Sequence, residues 1–359
     1  MTGGGRKAMR MRTAAVLAVL ALAGICRGAC FERVLAWASV RDEASARQYA
    51  EIGVTDIRVS GADGKAAAKK YGMRPYCGTF TPCGAHEQVL GAEAQAYFDR
   101  VNAVDLPKER RKEESDRRLK ESGCRFGGEQ EGVFGCCPYR FPCFISDGGR
   151  AKSKARLMKI LEADPSAEGI YFDGIGYTNL RSCECEVCRD KLAEFLKRNA
   201  LEATEANRNR FYRQELVSYV NDLVDYVREI RPGIRVAIHL WPTFAPDPLY
   251  GKDLKADYVE ETVAWYFQWD DGKIDDYVRK VVGARRPEGS EGVPFLGLSA
   301  TSGRALAYKS PERLERELEI ILAAGGRTLS VCNGTDMIRP GYREVFRKFT
   351  GKGKTEGTR

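Results

Sequence analysis

From Arg33 onward the chain alternates short runs of β-branched and aromatic residues with amphipathic stretches. That alternation constrains the fold more than any other feature, because a strand that leads through a helix to another strand returns in parallel, right-handed register. RVLAWASV (33–40) reads as a strand and DEASARQYAEIG as a helix that ends on Gly53. TDIRVSG, ADGKAAAKKYG and MRPYCGTF repeat the pattern, and YFDG (171–174) ends a fourth strand. From about Arg210 to Arg231, Leu216, Val220, Leu223, Val227 and Ile230 recur at helical spacing until Pro232-Gly233 stops the helix. IRVAIHLW, ADYVEETVAW, a helix near 273–284, VPFLGLS, the helix SPERLERELEIILAAGG, TLSVCNG and a last helix YREVFRKF complete the series. Eight strand-helix units of roughly 41 residues each predict an α/β fold of the (β/α)8 TIM-barrel type. A doubly wound sheet is the competing arrangement, but no G-x-G-x-x-G follows the first strand, which weakens its dinucleotide-binding version. Residues 84–135 interrupt the rhythm. Within them DLPKERRKEESDRRLKES is polar on every face, as expected of a solvated helix in a surface insertion after strand three.

The amino terminus has a different character. Residues 1–12 are basic, Ala14–Ile25 form an apolar run, and small residues follow in CRGAC, the order of a secretory signal peptide over residues 1–29. The apolar run is too short for the roughly 20 residues that a transmembrane helix needs. The expected destination is therefore periplasmic or extracellular, with a lipid anchor on Cys26 or Cys30 as a variant of it. The net charge of +8 includes five basic residues before Cys30 and no acid there; without them the balance is 53 basic against 50 acidic residues, or +3. Such a balance leaves no electrostatic footprint for a nucleic acid. Residues 351–359 read as a disordered tail.

Eleven of the twelve cysteines follow residue 29, an odd number that disulfides alone cannot use. Cys183, Cys185 and Cys188 stand at C-x-C-x2-C spacing, which lets three thiolates converge on one tetrahedral ion. Zinc completed by an upstream cysteine is the sharper reading; Cys136, Cys137 and Cys143 are available, and Cys137 is favoured because Cys-Pro begins a turn. A disulfide network is the alternative. Four sulfur ligands leave no place for water, so the ion would be structural.

YFDG, followed by CECEVCRDKLAEFL and preceded by CCPYRFP, resembles barrel glycoside hydrolases related to the family 42 beta-galactosidases and the uncharacterised glycosidase-like families around them. The motifs carry the resemblance over roughly residues 133–198. It implies a (β/α)8 barrel, a strand-four acid ahead of the cysteine cluster, a zinc site completed by an upstream Cys-Pro cysteine, and a carbohydrate substrate. Family 42 enzymes end strand four in Asn-Glu and carry a nucleophilic Glu on strand seven, where this chain has Phe172-Asp173 and GLSATSG. In that respect it is closer to alpha-fucosidase-like and alpha-galactosidase-like barrels, whose strand-four Asp is the nucleophile.

Strand parity names candidates independently. In GIYFDG, Ile170 and Phe172 belong against helices, so Tyr171 and Asp173 point into the barrel, with Asp173 at the carboxyl end where barrel enzymes place their chemistry. The same rule turns His239 and Trp241 inward on strand five, Arg58 and Ser60 inward on strand two, and Glu260 rather than Glu261 inward on strand six. Glycoside cleavage needs two carboxyl groups. Asp173 and Glu260 are the pair, with Glu261, Asp270 and Asp271 as rivals for the second place, and Arg58, Tyr171, His239, Trp241 and Trp265 as substrate contacts; Tyr266 and Trp269 add aromatic faces. With two histidines and no G-x-S-x-G, a multi-histidine hydrolase and a serine triad are both disfavoured. An exported glycosidase acting on an oligo- or polysaccharide is the expectation. A catalytically inactive carbohydrate-binding or scaffolding barrel is the alternative, suggested by the missing strand-seven acid.

Overall fold

The computed structural model describes residues 30–59, 61–92, 95, 140–179, 181–240, 249–266, 269–302 and 305–352. Most of the 84–135 insertion, residues 1–29 and all but the first two residues of 351–359 lie outside them. The strands are β1 (Arg33–Val40), β2 (Asp56–Val59), β3 (Arg74–Phe80), β4 (Gly169–Ile175), β5 (Arg235–Leu240), β6 (Tyr258–Tyr266), β7 (Glu291–Ser302), β8 (Ala305–Tyr308) and β9 (Thr328–Cys332). All but β8 pair in parallel in the order β6-β5-β4-β3-β2-β1-β9-β7, and β7 closes the ring onto β6. The chain is thus an eight-stranded (β/α)8 barrel. Its helices are α1 (Glu43–Glu51), α2 (Gly61–Lys70), α3 (Asp147–Ala163), α4 (Glu186–Arg198), α5 (Glu205–Ile230), α6 (Asp271–Gly283), α7 (Pro311–Ala323) and α8 (Tyr342–Phe349).

Local signals account for most of these boundaries. Asp42 caps α1 through a 2.8 Å bond from the Ser45 amide, and Gly53 leaves the helix at φ +81°. Asp270 caps α6 in the same way, which starts that helix at Asp271 rather than near 273. One expectation was too short. Strand seven does not end at Ser299 but runs to Ser302 and folds back as β8, its antiparallel partner outside the ring. That hairpin rests on the pairing Ser299↔Tyr308 and its neighbours, and strand propensity weighs little against such pairing.

Burial divides by strand parity. Outward residues such as Ile170, Phe172, Val236, Ile238 and Leu240 pack under the helices. Inside the ring lie Leu35, Tyr76, Tyr171, Ala237, Tyr258 and Val293, with Trp37 against them. Tyr171 lies between a stacked Tyr76 and a tilted Trp37, both ring centroids 4.7 Å away. Gly169 makes this possible, since a Cβ there would meet the Tyr76 ring at 2.4 Å. Irregular register interrupts the ladder near the carboxyl ends of β1, β3 and β4. Such bulges re-aim side chains beside functional sites. The one in β4 spans Asp173 and Gly174, with Gly174 at φ +66°, a conformation glycine adopts without strain.

Candidate active site and cysteine cluster

Asp173 leaves β4 at this bulge and faces the barrel mouth, about one third exposed at 35%. Its Oδ1 lies 3.2 Å from His239 Nδ1 on β5, and His239 Nε2 lies 3.2 Å from Thr262 Oγ1 on β6. A proton on Nδ1 lets the ring donate to Asp173. The imidazole is fixed further by stacking on Phe295 of β7, 4.0 Å between centroids. Burial works to raise the Asp173 carboxyl, but the hydrogen bond and charge of His239 and the Gly174 amide outweigh it and hold it below the ordinary aspartate value.

Glu260 points inward from β6, while its neighbour Glu261 points outward, 3.9 Å from buried Arg286. Glu260 has no solvent-exposed surface. Trp37 Nε1 donates to its Oε2 and Ser330 Oγ to its Oε1, each at 2.8 Å, joining β1, β6 and β9 across the interior. Burial, only partly offset by these two bonds and reinforced by the charge of Asp173, pushes this carboxyl up to about 8. One carboxyl is thus held ionised and the other neutral at pH 7, a division of the kind that separates a base or nucleophile from an acid.

The other expected contacts fall into three groups. Arg58 reaches the mouth, where its Nε donates to Ser39 Oγ at 3.0 Å and its Nη1 makes a long 3.5 Å contact with Thr79 Oγ1. Tyr171 is inward but wholly enclosed, so it packs the barrel instead of meeting a substrate. Trp241 and Ser60 lie outside the described residues, as do the side chains of Trp265 and Tyr266. Trp269 offers no open face: it is buried, edge-on to Tyr277 at 5.2 Å, with the Lys273 ammonium 4.3 Å from its ring centroid. The rival acids are spoken for as well. Asp270 caps α6, and Asp271 is held by Arg313 at 2.8 Å and Arg316 at 2.9 Å. On β7 the inward residues next to the site are apolar, with Phe295 in place of an acid.

Trp37 and Ser330, which tie Glu260 down, are functional neighbours that the sequence motifs do not single out, whereas Thr262, which holds His239, shares the inward face of Glu260 by parity. Parity could have found the first two, because Trp37 alternates with Leu35 in RVLAWASV and Ser330 sits two residues after Thr328.

Behind strand four, Cys143, Cys183, Cys185 and Cys188 are all buried, with their sulfurs within 4.8 Å of one another. The fourth sulfur of this group is Cys143, whereas Cys137, the favoured candidate, lies outside the described residues. Cys143 is placed by its amide, which donates to the His86 carbonyl at 2.8 Å, just ahead of α3. Cys185 stands at the N-cap position of α4 and Cys188 lies in its first turn, where the helix dipole favours thiolates. The Cys143 sulfur is 3.7 Å from that of Cys185 and 3.6 Å from that of Cys188. A disulfide needs about 2.05 Å. Four sulfurs about 2.3 Å from a tetrahedral zinc stand about 3.8 Å apart, close to what is seen. All four cysteines are free thiols. Hydrogen bonds from Cys183 and Cys188 push the Cys143 thiol down, and the bond to Cys143 pushes Cys188 up, so the four sulfurs are electrostatically coupled. A metal ion could be held here by all four.

No family model matches the sequence, and no curated protein matches it. Solved structures do. Alpha-L-fucosidase isoenzyme 2 from Paenibacillus thiaminolyticus aligns over 89% of this chain and 49% of its own, with TM-score 0.51 and 14% identity. The glycoside hydrolase domain of PgaB (BpsB) from Bordetella bronchiseptica aligns over 89% of this chain and 99% of its own, with TM-score 0.51 and 10% identity. The beta-galactosidase from Bacillus circulans sp. alkalophilus aligns over 90% of this chain and 56% of its own, with TM-score 0.51 and 13% identity. The chain spans about half the length of the fucosidase and the galactosidase. These likenesses are of fold alone, the (β/α)8 barrel.

Proposed function

We propose that the protein is an exported glycoside hydrolase, with residues 1–29 as its leader. Asp173 acts as nucleophile, or as base toward water, and Glu260 supplies the proton to the departing oxygen. What carries this reading is two inward carboxyls on β4 and β6 in unlike surroundings, Asp173 at the mouth on His239 and Glu260 enclosed by Trp37 and Ser330, which set Asp173 below its ordinary value and Glu260 near 8. His239 keeps Asp173 ionised and oriented. Trp241 and Trp265 supply faces on which sugar rings stack, and the four-cysteine cluster holds a structural zinc that fastens the loop after β4.

Enclosure of Glu260 favours a second reading, a carbohydrate-binding barrel in which that carboxyl serves only as an internal tie. Turnover by the purified protein on a panel of aryl glycosides and on plant and algal polysaccharides separates the two. Hydrolysis that disappears in Asp173→Asn supports the enzyme; sugar binding with no hydrolysis supports the binder. Full activity in Asp173→Asn on a substrate the parent cleaves refutes the assignment of Asp173.

A further inference from the structure

The inward arginines of the barrel differ in one respect. At the amino end, Arg33 and Arg74 both meet Asp56, at 3.8 and 2.8 Å, and Arg235 meets Asp257 at 2.7 Å. Arg58 stands at the other end, on β2, exposed, and among the described residues no carboxylate pairs with it. Its two partners, Ser39 and Thr79, are neutral hydroxyls on the flanking strands. They aim the guanidinium without cancelling its charge. A guanidinium has five N–H donors in a rigid fork, of which these contacts engage two, and Arg58 stands toward the carboxyl end of β2, the end at which β4 carries Asp173. The groups that hold the Asp173 carboxyl down are His239 and the Gly174 amide, so Arg58 is not needed for that.

We propose that Arg58 selects an anionic saccharide, binding the oxyanion of a sugar unit seated in the mouth beside Asp173. The planar fork suits a carboxylate, as in a uronic acid, and equally a sulfate ester. This inference rests on the carbohydrate reading of the site, but it concerns binding and not cleavage.

The test measures binding by calorimetry to the full chain and to Arg58→Gln and Arg58→Lys, with three probes of equal length: a galacturonic acid trimer, a sulfated galactose trimer and a neutral galactose trimer. An acidic probe is expected to bind about ten-fold tighter than the neutral one, as a charge-assisted hydrogen bond allows. Arg58→Gln should erase that preference and Arg58→Lys should restore part of it, with the thermal midpoint of both unchanged because Arg58 forms no buried contact. Whichever acidic probe wins identifies carboxylate or sulfate as the group read. Equal binding of acidic and neutral probes, a preference that survives Arg58→Gln, or no binding of either acidic probe overturns the inference. Cleavage of neutral substrates alone overturns it and leaves the glycosidase reading standing. Acidic binding lost in Arg58→Gln, without turnover of any substrate, upholds it and overturns that reading.

Discussion

The two ends of the barrel interior are built from the same eight strands, yet they treat charge in opposite ways. At the amino end, Asp56 is wholly buried and is surrounded by Arg33 and Arg74, while Arg74 also donates to Tyr258 Oη at 3.2 Å. Every charge there has its opposite within reach. At the carboxyl end, among the described residues, Asp173 is offset by a histidine, Glu260 is neutralised by a proton, and Arg58 is left to hydroxyl partners. Paired charges hold a barrel shut, and charges left without a partner are available to something else. Barrel enzymes concentrate stability at the first end and chemistry at the second.

The comparison is broken most directly at Asp173. Asp173→Asn should lower turnover about 1,000-fold or more, as removal of a nucleophile or base does, and leave the thermal midpoint nearly unmoved. A fall in midpoint with activity retained would make Asp173 a loop cap. At the opposite end, Asp56→Ala should cost about 3 kcal/mol, because it strands two guanidinium groups without a counter-ion. Per-molecule turnover of the folded fraction should survive; denaturant midpoints and active-site titration together read this out. Loss of specific activity at full folding would show that the two ends are coupled.

Glu260 sharpens the contrast through pH. Its folded value near 8 lies above the ordinary glutamate value of 4.5, so the proton it keeps stabilises the fold fully below pH 4.5. That stabilisation drains away as pH rises toward 8, by about 5 kcal/mol in all. Glu260→Gln should flatten this slope in a series of denaturant titrations while leaving acidic stability nearly intact, since an amide can still accept from Trp37. If Glu260 is the acid, turnover in the parent declines above about pH 8, and Glu260→Gln is crippling where Glu261→Gln is mild. The acid limb belongs to Asp173 and falls below the ordinary aspartate value of 3.8. A parent profile that is flat through pH 8 contradicts this role for Glu260.

The smallest expected effect on chemistry lies behind β4. Cys185→Ala should release about one zinc per chain and lower the melting temperature, because a structural ion contributes its binding energy to folding. Activity at low temperature should persist. Metal analysis that finds no zinc in protein purified without chelator contradicts the site.

Much of this architecture is legible in the chain. Alternation marked the strands and helices, and period-two parity turned Asp173, His239, Glu260 and Arg58 inward and Glu261 outward, because a strand buried on both faces still has only two directions for its side chains. The C-x-C-x2-C spacing marked three of the four clustered thiols, all carried by one short segment. The fourth was harder. Cys136, Cys137 and Cys143 are alike in composition, and Cys143 is distinguished by a backbone bond to His86, 57 residues earlier, which no local pattern encodes. The β7–β8 hairpin escaped notice for the same reason, and so did the withdrawal of Trp269 into the core against Lys273 and Tyr277.

By itself, then, the sequence determined the barrel, the face on which each strand residue lies and the chemical types available at its mouth, since these follow from local periodicity and chain order. Only the tertiary structure decided the electrostatic state of those residues. Glu260 becomes a proton-holding group because the closed ring buries it completely, an effect that the bonds from Trp37 and Ser330, 223 and 70 residues away, offset only in part, and Arg58 stands beside hydroxyls with, among the described residues, no carboxylate paired to it. Burial and pairing belong to the closed ring, and no segment of the chain carries them alone.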